Sequence, residues 1–298
     1  MIFILASVLA LATPSPFDGK RAYAELRELA EAGGRHYGAP GREAALALLE
    51  KRLAPHCGEL FRQVFYETEK ISGKRYELAN LVCRVNPGEN RRVLLGSHYD
   101  TRLWAEEEPD PGKRETPIMG ANDGTSGVAV LLELLRGLET TPLPPGLGLD
   151  VVLFDGEEFG RPGKGGYCKG SWHFAEKLPT LYPGGLPEAA LILDMVGDKD
   201  QEFKVERNSY IFAPELVDVL WKLGEAQAPD AFSRRRVGPI LDDHVPLGRN
   251  GIPAVLLIDL DYPWWHTQSD TPDKCSAQSL QTAGDLVAAW LQSLAGGP

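Results

Sequence analysis

The stretch Val151-Val152-Leu153-Phe154-Asp155-Gly156-Glu157-Glu158 constrains this chain more than any other. Four apolar residues, β-branched and aromatic among them, run straight into an acid, a glycine and two adjacent glutamates. An unbroken run of that kind suits a strand buried on both faces of a helix-covered sheet. Buried carboxylates are costly unless they are paired or bind a cation. The acids therefore mark the end of the strand, where the backbone leaves the core. In open α/β sheets, that carboxyl edge is where ligands bind.

The same ending recurs. Val93-Leu94-Leu95-Gly96-Ser97 leads into His98-Tyr99-Asp100, and Leu191-Ile192-Leu193 leads into Asp194. Ala254-Val255-Leu256-Leu257-Ile258 leads, after a short loop, into Trp264-Trp265-His266. Asp123 sits in Gly120-Ala121-Asn122-Asp123-Gly124, just before a helical pattern. If the strands are mostly parallel, these groups converge at one edge. Imidazole nitrogen with carboxylate oxygen is a zinc ligand set.

The rest of the chain supports that frame. Strand-like and helix-like segments alternate from about residue 60 to the end with no linker-like stretch, so residues 13–298 read as a single α/β catalytic domain. Helices are expected from Asp18, as cap, to about Ala32, and over Arg42–Leu53, Thr125–Leu138, Ser171–Leu178, Pro214–Ala226 and Ser276–Leu294. Phe61–Tyr66 reads as an edge strand, and Asn80–Val85 as a mostly apolar one. The acidic run Glu106-Glu107-Glu108 reads as a solvated loop tip, and Arg234-Arg235-Arg236 as a solvated strand or loop. A net charge of -11 argues against nucleic acid or an anionic membrane as partner.

The four cysteines, Cys57, Cys83, Cys168 and Cys275, form no CxxC pair, which disfavours a cysteine zinc site. A Cys57–Cys83 disulfide and four free thiols both remain open. Residues 1–12 end in Ala10-x-Ala12 and fit a signal peptide, although no Lys or Arg precedes the apolar run; the alternative is an N-terminal core segment. The apolar run is too short to span a bilayer, so no stable membrane insertion is expected. A secreted or periplasmic monomer, mature from about Thr13, is the expectation.

Zinc held by an aspartate, a glutamate and a histidine keeps a position open for water or a substrate carbonyl. In the glutamate pair, Glu158 is the ligand and Glu157, fixed beside it, the general base or acid. The bland alternative is that the pair caps a helix. Candidate ligands in five separate segments favour the metal site over that alternative. Smaller features have plainer readings. Asp100 is expected to orient His98. Asp155 is read as a strand-end turn residue and Trp104 as a packing residue. His244 is either near the site or bonded at a helix cap.

In order, His98-x-Asp100, Gly-Ala-Asn-Asp123-Gly, Gly156-Glu157-Glu158, Asp194 and His266 resemble the zinc-dependent aminopeptidase superfamily over about residues 79–293. The resemblance implies a mixed, mostly parallel twisted central sheet flanked by helices. In its two-metal members His98, Asp123 (bridging), Glu158, Asp194 and His266 would all be ligands. Three details point to one branch, the glutaminyl cyclases of the animal type: His98-Tyr99-Asp100, Asp242-Asp243-His244-Val245-Pro246 and Trp265-His266-Thr267. That branch implies conversion of N-terminal glutamine of peptides or proteins to pyroglutamate with release of ammonia. It implies one zinc per chain on Asp123, Glu158 and His266, catalytic roles for Glu157, Asp194 and Asp242, and Trp265 in the substrate pocket. The chain departs from the branch by carrying Ser97 before His98, and by lacking a tryptophan in the loop after Glu158, where Phe159 and Tyr167 are the aromatics at hand. The alternative reading is a two-zinc aminopeptidase.

Overall fold

Period-two alternation explains how the central strands are covered on both sides. In the strand Leu147–Phe154, Val151 and Leu153 join one apolar cluster while Val152 and Phe154 join another on the opposite face. The computed structural model that reveals this describes residues 15–295, so the signal-like segment lies outside the described residues.

In chain order the elements begin with helices α1 (Gly19–Ala32) and α2 (Arg42–Leu53), followed by strands β1 (Glu59–Thr68), β2 (Arg75–Val85) and β3 (Arg91–His98). Helix α3 (Thr125–Gly137) and strand β4 (Leu147–Phe154) come next, then α4 (Lys169–Glu176), α5 (Leu178–Leu181) and β5 (Ala190–Asp194). The last third holds β6 (Phe203–Val205), α6 (Arg207–Phe212), α7 (Pro214–Gln227), β7 (Phe232–Arg236), α8 (His244–Arg249), β8 (Ala254–Ile258) and α9 (Ala277–Ser293).

Six strands form one mixed sheet in the order β1-β2-β4-β3-β5-β8. The β1–β2 and β2–β4 pairs are antiparallel, and β4, β3, β5 and β8 form a parallel block. Those four are the strands whose sequences run into acids or lead to a histidine, so their carboxyl ends share one edge. Helices α1, α3, α7 and α9 cover one face of the sheet, and α4 and α8 the other. Asp18 caps α1 as expected, accepting hydrogen bonds from the backbone N–H groups of Lys20 and Arg21.

Elsewhere the elements differ from expectation for local reasons. Strand β2 starts at Arg75, well before its apolar stretch, because its first half pairs with the edge strand β1 in a hairpin. The helix expected to reach Leu178 divides into α4 and α5 just before Pro179, whose ring cannot continue a helix interior. The arginine run lies on β7, which is largely exposed and pairs with β6 in a separate two-stranded sheet too short to leave a period in the sequence. Among the described residues no helix is long and apolar enough to cross a membrane.

Cys57 and Cys83 are joined by a disulfide with a Cα–Cα distance of 5.3 Å, and Cys168 and Cys275 are buried free thiols. The bridge fastens the end of the α2 segment to the C-terminal part of β2, closing a loop with a sequence separation of 26. A loop of that length restricts the unfolded chain by about 3 kcal/mol. The Cys57→Ala/Cys83→Ala protein should lose stability of that order in equilibrium denaturation; an unchanged midpoint would show that the bridge contributes nothing.

Candidate active site

The parallel block delivers its chemistry where the strands end. His98 is the last residue of β3 and Asp194 the last of β5; Glu157 and Glu158 follow β4 by two residues, and His266 lies in the loop after β8. Asp123 arrives from the turn that opens α3. Gly124 is needed there: its φ is +72°, and a Cβ would come within 2.5 Å of the His98 ring. All six side chains are buried.

Two sets of donor atoms converge, and Asp123 belongs to both. Ligand atoms of Asp123, Glu158 and His266 lie within 4.8 Å of one another, as do those of His98, Asp123 and Asp194. His266 Nε2 is 3.1 Å from Glu158 Oε1 and 3.4 Å from Asp123 Oδ2. His98 Nε2 is 3.1 Å from Asp194 Oδ1 and 3.2 Å from Asp123 Oδ1. Each ring's other nitrogen faces an acceptor: Nδ1 of His98 the backbone carbonyl of Asp100 at 3.1 Å, and Nδ1 of His266 the Glu106 carboxylate at 3.0 Å. With Nδ1 donating, the His266 ring in its neutral form turns its Nε2 lone pair toward carboxylates, an arrangement that suits a cation between them, and His98 can do the same or carry a proton on Nε2 between Asp123 and Asp194. Asp123 Oδ2 is buried with no hydrogen-bond partner. An orphaned carboxylate oxygen beside an imidazole lone pair and a second carboxylate fits a divalent metal.

Several supporting groups are not evident from the sequence. Arg102, fully buried, donates to Glu158 Oε2 at 2.6 Å and to both oxygens of Glu106 at 3.0 Å. Glu106 thus joins Arg102 to His266. Asp270 accepts hydrogen bonds from the backbone N–H groups of Asn122 at 2.8 Å and Asp123 at 3.2 Å, and from the Tyr262 hydroxyl at 2.7 Å. It fixes the turn that presents Asp123. The only sequence signal was the position of Arg102 two residues after Asp100; the acids gave none.

Four expectations need correction or refinement. Glu106-Glu107-Glu108 is not a solvated tip: Glu106 bonds His266, Glu107 lines the cavity described below, and Glu108 accepts from the Gln268 N–H at 2.9 Å. Glu106 turns inward because Arg102 and His266 offer it charge partners, while Glu107 stays exposed. Asp100 faces His98 Nδ1 with its carbonyl at 3.1 Å and its carboxylate at 3.6 Å, as expected, and the carboxylate also accepts the backbone N–H groups of Glu157 and Glu158, each at 3.1 Å. Asp155 is fully buried, pairs with Arg42, and accepts the Ala79 N–H at 2.6 Å, so it locks α2 onto the sheet edge. His244, at the start of α8, pairs with the buried Glu206 at 3.1 Å. Trp104 packs against Tyr37 as expected.

A cavity of about 470 Å³ opens above the donors. Glu107, Tyr167, Ile240, Leu241, Leu260 and Trp265 form its upper wall, and Asp123, Glu157, Glu158, Asp194, Asp242 and His266 reach it from below. Trp265 is 42% exposed and stacks on the His266 ring with centroids 3.8 Å apart. Of the aromatics after Glu158, Tyr167 reaches the cavity, while Phe159 packs in the core with Tyr37 and Leu78.

Burial and the crowding of acids set the protonation of this floor. Burial, then the Glu158 charge, pushes the Glu157 carboxyl well above the usual carboxylate range. Burial and the charge of Asp194 do the same to Asp242. Burial and Glu158 raise Asp123 to about 7. Burial also works to raise Glu158, but His266 and Arg102 override it and hold that carboxyl well below its ordinary value. His266 is disfavoured as a cation by burial, yet Glu158 and Glu106 bring it up to about 10. The floor therefore separates a carboxylate kept ionised, Glu158, from a neighbour disposed to carry a proton, Glu157.

Comparison with known proteins agrees with this geometry. Residues 80–291 match the model of peptidase family M28. The chain is 26% identical over 283 residues to a glutaminyl-peptide cyclotransferase of Gloydius blomhoffii, covering 85% of this chain and 75% of that one. It is similar to the crystal structure of Fimbriiglobus ruber glutaminyl cyclase, at 34% identity and a TM-score of 0.86 over 93% of this chain and 95% of that one. It is also similar to a zinc-dependent exopeptidase from Parabacteroides distasonis, at 30% identity and a TM-score of 0.85 over 93% and 98%.

The acceptor behind a ligand histidine typically tunes metal affinity 10–100-fold. Glu106→Ala should weaken metal binding by about that factor, read by competition against a chelator. Wild-type affinity in that variant would remove Glu106 from the support of His266.

Proposed function

The chain belongs to peptidase family M28, and we propose that within it the chain is a glutaminyl-peptide cyclotransferase, acting on peptides or proteins with an N-terminal glutamine. The observation that carries this reading is the arrangement of the cavity. A proton-carrying carboxyl, Glu157, adjoins the Asp123–Glu158–His266 donors under a wall formed by Trp265. A related snake enzyme and a solved bacterial structure bear the corresponding name.

One zinc per chain, on Asp123, Glu158 and His266, is part of the proposal. The unpartnered Asp123 oxygen is the one turned to His266, whereas the other faces His98. Bound there, zinc supplies a Lewis acid for the γ-carbonyl of the substrate glutamine. His98 and Asp194 then remain bonded to each other beside the metal. Export to an oxidising compartment is also proposed, supported by the Cys57–Cys83 disulfide, with residues 13–298 as the catalytic domain.

The chain's own residues do the rest. The cavity holds the substrate's α-amine near its γ-amide, so proximity supplies much of the rate. As the amine nitrogen bonds to the amide carbon, Glu157 takes a proton from it. As the carbon–nitrogen bond of the amide breaks, Glu157 passes that proton to the departing nitrogen, which leaves as ammonia. Glu158, Asp242 and Asp243 crowd Glu157 and favour its protonated form, and Asp194 does the same to Asp242. Trp265 walls the site against water that would hydrolyse the amide. The second reading, a two-zinc aminopeptidase, is favoured by the second donor set, His98, Asp123 and Asp194, and by the likeness to an exopeptidase.

Glu157→Gln should keep its zinc and lose about 10²–10⁴-fold in turnover of a Gln-peptide, the usual scale of acid–base catalysis. Asp194→Asn and Asp242→Asn should also slow the reaction, while His266→Ala should lose the metal. Turnover near wild type in zinc-loaded Glu157→Gln would exclude it as the proton carrier. Two zincs per chain, both needed for release of free amino acids and with no pyroglutamate formed, would move the assignment to the aminopeptidase.

A further inference from the structure

Glu157 stands in unusual company. Glu158, Asp242 and Asp243 act on it as like charges. Among the described residues one side chain alone donates a hydrogen bond to its carboxyl: the thiol of Cys168, whose Sγ lies 3.2 Å from Oε1. Cys168 is fully buried and is not part of the disulfide.

The backbone around Cys168 is built to present it there. Three consecutive N–H groups bond in register to the glutamate turn: Cys168 to the Glu157 carbonyl at 3.0 Å, Lys169 to Gly156 at 2.9 Å and Gly170 to Asp155 at 2.8 Å. Ser171 Oγ lies 3.1 Å from the Cys168 carbonyl and 2.5 Å from Asp243 Oδ1, so it ties this end of α4 to the segment that carries Asp242. Cys168 itself has φ +58°, in the left-handed region that side-chain-bearing residues seldom occupy. Such a conformation persists only where its surroundings hold it, and it clusters at functional sites. The segment thus places one hydrogen-bond donor against a carboxyl that meets three like charges and the opposing charge of His98.

We propose that Cys168 is a positioning residue for Glu157, its S–H holding the carboxyl in the rotamer that faces the substrate amine. This rests on Glu157 being the proton carrier. The thiol does not react and touches no substrate. It fixes one carboxyl oxygen and leaves the other free to exchange the proton.

The test compares Cys168→Ala, Cys168→Ser and Glu157→Gln, singly and combined, in the zinc-loaded enzyme with a Gln-peptide. Cys168→Ala should lower kcat about tenfold, the scale of a hydrogen bond to a charged group, with KM within about twofold. Cys168→Ser, which restores a donor, should recover most of that loss. On the Glu157→Gln background Cys168→Ala should cost nothing further, because its effect passes through Glu157; a merely structural role would slow both backgrounds. If Cys168→Ala does not fold, Cys168→Gly takes its place, since glycine accepts the left-handed backbone. Wild-type kcat in Cys168→Ala, no recovery in Cys168→Ser, or an additional loss in the double variant would each overturn the proposal. Wild-type turnover in Glu157→Gln would instead overturn the reading of Glu157 itself, so the two failures are distinguishable.

Discussion

The structure depends on keeping an excess of buried negative charge at one sheet edge. Asp123, Glu157, Glu158, Asp194 and Asp242 meet below one cavity, and His98, His266 and Arg102 are the cationic or potentially cationic groups drawn into contact with them. Burying so many carboxylates is tolerable only if each is ionised against a partner, protonated, or bound to a cation. The protein uses the first two and leaves a place for the third. Glu158 is ionised against Arg102 and His266; Glu157 and Asp242 are pushed toward the protonated form; and Asp123 keeps an oxygen with no partner in the protein. The parallel block makes this feasible, because four strand ends supply the groups from a rigid core and little loop entropy opposes their convergence.

How much of this could be read from the sequence follows from how each group is positioned. Residues that end apolar strands were legible, since a run such as Val151–Phe154 cannot continue into Asp155 and Glu157 without leaving the core. His98, Asp194 and the glutamate pair came from that logic, and His266 and Asp123 from their motifs. The mixed sheet came from the family resemblance, and the edge position of β1 from the polar residues that interrupt its apolar ones. Arg102, Glu106 and Asp270 were not legible. Each acts because a loop folds back over the strand ends, and no period or motif records that return. The acidic run misled for a physical reason: charge runs are usually solvated, and this one is buried in part because Arg102 and His266 lie beneath it. The small β6–β7 sheet was missed because short strands are decided by tertiary pairing more than by propensity, whereas the helix break had its signal in Pro179.

Backbone strain marks the same region independently of charge. Among the described residues, four other than glycine have left-handed φ: Asn86, Cys168, Met195 and His266. Three of the four belong to this site, as a ligand candidate, the neighbour of Asp194, and the donor to Glu157. A conformation that costs of order 1–3 kcal/mol is retained where the fold over-determines it. Here the retaining forces are visible: the Glu106 bond and Trp265 stack on His266, and the backbone zipper beneath Cys168.

The choice between one metal and two then turns on Asp123, the residue common to both donor sets. A carboxylate that bridges two cations turns one oxygen to each, as Asp123 turns Oδ1 to His98 and Oδ2 to His266; the two oxygens differ in their hydrogen bonding. Oδ1 lies 3.2 Å from His98 Nε2, which also meets Asp194, so that set can satisfy itself as a hydrogen-bonded cluster when His98 is protonated. The Asp194 charge, acting against burial, raises the pKa of His98 well above its usual value and favours that imidazolium. Oδ2 has no such partner, and it faces the Glu158–His266 pair. An imidazolium at His98 supplies the positive charge that a second metal would otherwise bring, and it leaves Asp194 to act on Asp242. One metal with a charged histidine beside it is thus electrostatically self-consistent. It also keeps the acid crowding on which a proton-carrying Glu157 depends, whereas a second cation would relieve that crowding.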